Sequence, residues 1–237
     1  VVVLNDNDAD RLAAASDGFA QQFGKDAFAA APLDVTNPAQ ISAAFDTACL
    51  AFGGVDIVVN CAGLSISKPL EEHTSADWDL LYDVLVKGQF LVTQAGVAIM
   101  RKQGRGGDVI NIVSKNALVS GPNNAGYGSA KAAQLHLSRL NAAELGPDHI
   151  RVNVVNPDAV IADSKIWEGA WAEGRAKAYG IKVEELPGFY AKRTLLGEII
   201  LPEDIANACF AFTGGLLHKS TGNVLNVDGG IAMAFVR

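Results

Sequence analysis

Three observations predict a doubly wound α/β domain, a parallel sheet between two layers of helices. Short Val-rich runs alternate with longer helical stretches along the whole chain. The runs are apolar throughout rather than alternating apolar and polar, as strands covered on both faces are. The chain has 237 residues, 49% of them hydrophobic and 19% charged, enough for one domain with a sizeable core.

In order, Val1–Leu4 reads as a strand, then 8–23 as a helix, Phe28–Leu33 as a strand and 38–52 as a helix. Val55–Asn60, Asp108–Val113, Ile150–Asn156 and Asn223–Val227 read as further strands, with helices over 74–103, 126–145 and 202–213. The segment 161–200 breaks the rhythm. It sets Trp167, Trp171, Tyr179, Phe189 and Tyr190 among charges, the composition of a substrate lid and equally of a satellite core or subunit contact. Residues 1–237 are therefore read as one domain with a lid at about 161–200. Val1–Leu4 with Asn5-Asp6 resembles the second strand of such a fold, and no G-x-G-x-x-G occurs in the chain. The first strand is central in this architecture. A slot one strand wide, about 4.8 Å, is expected beside Val1–Leu4, with an upstream segment preceding it.

Charge excludes some functions. Lys plus Arg total 19 against 26 for Asp plus Glu, a net charge of −7 without a basic stripe, which argues against nucleic acid and anionic membranes as partners. Apolar runs fall short of the roughly 20 residues of a membrane helix. Three separated cysteines fit reduced thiols and a cytoplasmic protein, and four scattered histidines give no metal-ligand spacing.

The chemistry centres on Ser114, Tyr127 and Lys131. Tyr127 and Lys131 stand four apart at the start of a helix, so they share a face. Ser114 closes the strand Asp108–Val113, and a strand–loop–helix unit returns Tyr127 to it at the carboxyl edge of the sheet, where ligands bind. A neighbouring ammonium is expected to lower the phenol's pKa, so that Tyr127 moves a proton while Ser114 holds the substrate oxygen. Asn60-Cys61-Ala62-Gly63, Asp34-Val35, Asn156-Pro157-Asp158-Ala159-Val160 and Val227-Asp228-Gly229-Gly230 close other strands.

In this order the motifs resemble the short-chain dehydrogenase/reductase family over essentially the whole chain. The resemblance implies a Rossmann-type, NAD(P)-dependent oxidoreductase acting on CH–OH or aldehyde groups. It implies Tyr127 as acid/base, Lys131 on the nicotinamide ribose and Ser114 on the substrate carbonyl. It further implies Asp34 and Val35 beside the adenine, Asn60, Ala62 and Gly63 on the adenosine ribose side, and Pro157 to Val160 at the nicotinamide. Asp6, at the end of its strand, would accept from the ribose hydroxyls and repel a 2′-phosphate, favouring NAD over NADP. Asn5, Asn7 and Asp8 leave that register open by a residue, and Asp8 also suits a helix cap.

Two departures stand out. Asp83-Val84-Leu85-Val86-Lys87-Gly88 has Leu85 where the family commonly has an Asn that helps hold a water in a proton path from the lysine. Asp158 replaces the usual Gly after the proline. Ser114-Lys115-Asn116-Ala117, Asn156-Pro157-Asp158, Ile166-Trp167, Arg193-Thr194-Leu195-Leu196 and the terminal Arg237 resemble the dehydrogenase half of bifunctional rhamnulose-1-phosphate aldolase/alcohol dehydrogenases. That implies lactaldehyde oxidation and an upstream aldolase. Rivals are a carbonyl or sugar reductase and a non-catalytic nucleotide-binding domain. Surplus apolar residues on the long helices (Leu80, Leu81, Val84, Phe90, Leu91, Leu135, Leu137, Leu140) predict a homodimer or homotetramer.

Overall fold

The computed structural model describes residues 1–162, 164, 167 and 169–235, with only the backbone at 170 and 178. Ile166 and Arg237 lie outside the described residues. All the strands run parallel, in two groups. β1 (Val2–Asp6) pairs with β2 (Phe28–Pro32), while β3 (Ile57–Asn60), β4 (Gly107–Ile112), β5 (Ile150–Pro157) and β6 (Val224–Val227) follow one another in a second sheet. Among the described residues no ladder joins β1 to β3.

One core nevertheless spans both groups. Val3 of β1 and Val58 of β3 pack with Ile41, Ala48, Val92 and Val97. On the opposite face Ile57 and Val59 are 46% and 49% exposed. The strand registers bring the ends of β1, β3, β4 and β5 to a single carboxyl edge.

Local chemistry sets the helix ends. The Asp8 side chain accepts from the Arg11 N–H to start α1 (Ala9–Phe23). Asn37 caps α2 (Pro38–Phe52), with Pro38 in its first turn, and the helix stops at Gly53 in the left-handed conformation. The long helix expected over 74–103 is not continuous. A Thr74–Asp77 capping box opens α3 (Ser75–Leu81), a π-helical turn follows over Tyr82–Lys87, and α4 (Gly88–Gln103) completes it. α5 (Ala125–Leu145) covers β4 and β5. Among the described residues no helix is long and apolar enough to cross a membrane.

The lid segment holds α6 (Gly169–Tyr179) and α7 (Leu186–Ala191). Its ends are drawn together by a parallel bridge between Val160 and Ile200. Its aromatic residues make a small core of their own, with Trp167 edge-on to Trp171 and Tyr190 at 4.4 and 4.8 Å. α8 (Pro202–Thr213) then buries Phe212 against Ile110 and Val155. Of the surplus apolar residues, Leu81 and Leu135 turn inward, whereas Leu80, Phe90 and Leu140 remain about half exposed.

Gly96 is where α4 meets the sheet: a Cβ there would lie 2.6 Å from Val58 Cγ2 and 3.3 Å from the Phe45 ring. Overpacking outweighs the helix-propensity gain of alanine, so Gly96→Ala is expected to lower stability by about 1–2 kcal/mol in denaturant titration. A stabilised variant would show that α4 can lift off without cost.

Candidate active site

Each site residue predicted from the sequence lies at the carboxyl edge or on the segment leaving it. β4 ends at Ile112 and delivers Ser114, which is buried and whose Oγ accepts the Asn116 N–H at 3.2 Å. α5 brings Tyr127 back beside Ser114, whose side chain acts on the phenol. One turn on, Lys131 is buried, its Nζ donating to the Ile112 carbonyl at 3.3 Å and lying 5.7 Å from the Tyr127 ring centroid. The three side chains therefore form one cluster.

Their electrostatics differ from the expectation in one respect. Burial pushes the Tyr127 phenol up to about 12, against a partly offsetting hydrogen bond from Ser114. Burial likewise brings Lys131 down to about 8. The expected lowering of the phenol by the lysine is absent, because desolvation dominates and Nζ is turned onto a carbonyl.

The remaining positions surround this cluster along the edge. Asp6 ends β1, and one of its oxygens accepts the Asp8 N–H at 2.9 Å. The neighbouring Asn5 donates to the Ala31 carbonyl at 2.8 Å. Asp34 Oδ1 accepts from the Thr36 N–H and hydroxyl at 2.8 and 2.7 Å, shaping the turn into α2. Val35 packs against Gly88, where a Cβ would come within 2.6 Å of it. Asn60 donates to Thr93 Oγ1 and Asn111 Oδ1, and Ala62 and Gly63 leave the backbone after it exposed. Cys61, which follows Asn60 at this edge, is solvent-exposed. Pro157 ends β5, and Val160 starts the lid.

Two features escaped the sequence reading. Lys115 and Asp158 form an ion pair at 3.1 Å with side chains only 9% and 5% exposed, tying the Ser114 loop to the segment after Pro157. Both residues were visible as departures or neighbours, but their pairing spans two loops and leaves no local signal. Asp158 also lines a cavity of about 10 Å³ under the lid with Tyr190, Thr194 and Ile200, space for about one water. The second feature is a buried amide network behind Lys131, in which Asn111 donates to Ser138 and Gln134 donates to the Leu85 carbonyl.

Comparison with known proteins agrees with this geometry. The family profile described as enoyl-(acyl carrier protein) reductase matches residues 1–232. The uncharacterized oxidoreductase YuxG of Bacillus subtilis is 45% identical over 215 residues, 91% of this chain, and the chain spans 31% of that relative's length. A 3-alpha-(or 20-beta)-hydroxysteroid dehydrogenase of Mycobacterium tuberculosis is 34% identical over 198 residues, covering 84% of this chain and 68% of that one. A gluconate 5-dehydrogenase of Burkholderia cenocepacia, solved with NADP and tartrate, superposes with a TM-score of 0.83 at 27% identity, covering 98% of this chain and 86% of that one.

Lys131 makes a direct test of the burial at this site. Its pKa falls from 10.5 to about 8 on folding, so between those values the unfolded chain binds more protons and the stability contribution rises with pH. The melting temperature of the wild type relative to Lys131→Met should therefore climb between about pH 8 and 10.5. A difference that stays constant would mean that Lys131 is solvated.

Proposed function

The chain belongs to the short-chain dehydrogenase/reductase family, and on that premise we propose that it is an NAD-dependent oxidoreductase interconverting an alcohol and its carbonyl compound. The observation that carries this reading is the cluster of Tyr127 with buried Ser114 and Lys131, the lysine Nζ lying 5.7 Å from the phenol ring centroid. When bound, a nicotinamide dinucleotide supplies the hydride acceptor or donor. The chain's donors and acceptors fit it: a carboxylate ends β1, exposed backbone follows Asn60, and a buried ammonium lies beside the phenol. Asp6 would hold the adenosine ribose, Asp34 and Val35 the adenine, Lys131 and Tyr127 the nicotinamide ribose, and Pro157 and Val160 the nicotinamide.

In oxidation the Tyr127 phenolate would take the O–H proton as the carbinol becomes a carbonyl. Ser114 holds the reacting oxygen throughout. In reduction Tyr127 returns the proton to that oxygen. An aldehyde is oxidised at the same site as its hydrate, giving the acid.

Lactaldehyde is the substrate we favour, in the catabolism of a deoxysugar such as rhamnose. The Ser114–Ala117 and Asn156–Val160 motifs support it. An upstream aldolase belongs to the same proposal. So does a cytoplasmic homodimer or homotetramer, supported by three free thiols and by half-exposed Leu80, Phe90 and Leu140. The lid over 161–200 would close on the substrate. A carbonyl or sugar reductase is the second reading, favoured by a phenol that is protonated at neutral pH and therefore ready to donate.

Tyr127→Phe removes the proton-transfer group and keeps the ring. Turnover should fall by ~10²–10⁴-fold with NAD affinity nearly unchanged in binding titrations, and a loss under about tenfold would place the acid/base elsewhere. Asp6→Ser should shift preference toward NADP by ~1–3 kcal/mol, read as the ratio of the two kcat/KM values. An unchanged ratio would mean that another group contacts the ribose.

A further inference from the structure

The turn that interrupts the long helix lies against the catalytic face of α5. Leu85 of this π-turn is fully buried and packs in one cluster with Ala130 and Tyr127 of α5. A π-turn displaces backbone carbonyls from the regular helical ladder, and a buried carbonyl needs a partner. The partner here comes from another helix. Gln134, 3% exposed and three residues beyond Lys131, donates its Nε2 to the Leu85 carbonyl at 2.7 Å.

Gln134 is itself held on several sides. Ser138 Oγ donates to its backbone carbonyl at 2.7 Å, Gln89 Nε2 approaches the same carbonyl at 3.3 Å, and Asn111 of β4 donates to Ser138 Oγ at 2.8 Å. These bonds hold the Gln134 backbone, and its side chain is tied to the π-turn through the Nε2 bond alone, its Oε1 being buried without a partner among the described residues.

We propose that Gln134 is a positioning residue: by taking up the Leu85 carbonyl it holds the π-turn against α5 and keeps Tyr127 and Lys131 in register with Ser114. The Leu85 that departs from the family pattern is then not a lost polar group. The amide enters the same junction from α5. Without the Gln134 hydrogen bond the π-turn loses its tie to α5 and can rewind toward a regular helix, which swings Leu85 away from Tyr127 and Ala130.

This inference rests on Tyr127 and Lys131 being the reacting pair, and the test separates the two. In the full-length protein, Gln134→Leu should lower kcat for alcohol oxidation by about 10- to 100-fold while the KM for NAD moves less than about threefold. Amide exchange across 82–90 should accelerate with no cofactor present. In Gln134→Glu the carboxyl donates to the Leu85 carbonyl only when protonated, so its kcat relative to wild type should fall as pH rises, a signature that a packing role does not produce. Wild-type kcat and exchange in Gln134→Leu, or a flat pH ratio in Gln134→Glu, would overturn the proposal. If Gln134→Leu does not fold, the Gln134→Glu ratio decides. A wild type without dinucleotide-dependent turnover would refute the functional reading instead, and the exchange comparison would still judge Gln134.

Discussion

The hydrogen bond between the Asn60 and Asn111 side chains, 2.8 Å long, fixes the relation of β3 to β4 at the edge where the chemistry lies. An amide inside a sheet is costly unless all its polar atoms are paired, so such a bond selects one register. Asn111 uses its amide nitrogen to reach Ser138 on α5, and Asn60 also reaches Thr93 on α4. Strand ends and covering helices are therefore joined by one buried polar chain. The apolar core below it holds the layers together, but a core of Val and Ile tolerates small slips. The amides do not. Ser114 and Tyr127 meet where they do because β4 and α5 are tied three residues before the one and three turns beyond the other.

Burial at that edge has a chemical consequence. Desolvation favours the neutral forms of both Tyr127 and Lys131, raising one and lowering the other. At neutral pH the protein therefore holds its phenol as an acid. Lys131 neutral or charged remains tethered to the Ile112 carbonyl, one residue from the loop that carries Ser114. The Lys115–Asp158 pair ties the loop after β4 to the segment after β5. A buried ion pair adds little to stability compared with apolar packing, so joining two loops is a better account of it than strengthening the fold.

Much of this was legible in the sequence, for reasons that differ by element. Apolar runs gave the strands because a sheet covered on both faces has no polar side to alternate with. Tyr127 and Lys131 could be placed together because helical spacing is local, and Asp8 could be identified as a cap for the same reason. The π-turn at Tyr82–Lys87 was hidden because its determinant, Gln134, belongs to a different helix. The pKa of Tyr127 was misjudged because a motif shows the neighbouring charge and not the desolvation around it. Leu81 and Leu135 were assigned to a partner-facing surface because periodicity identifies an apolar face but not its occupant; α3 and α5 turn them inward within this chain.

Hydride transfer between a carbinol carbon and a nicotinamide ring is the chemistry proposed for this edge. The most direct measurement follows deuterium placed on the carbinol carbon of a short hydroxy-aldehyde or polyol during turnover with NAD. The label should appear at C4 of the reduced nicotinamide, with a primary isotope effect on the single-turnover rate. Deuterium released to water, with none in the nicotinamide, would contradict it.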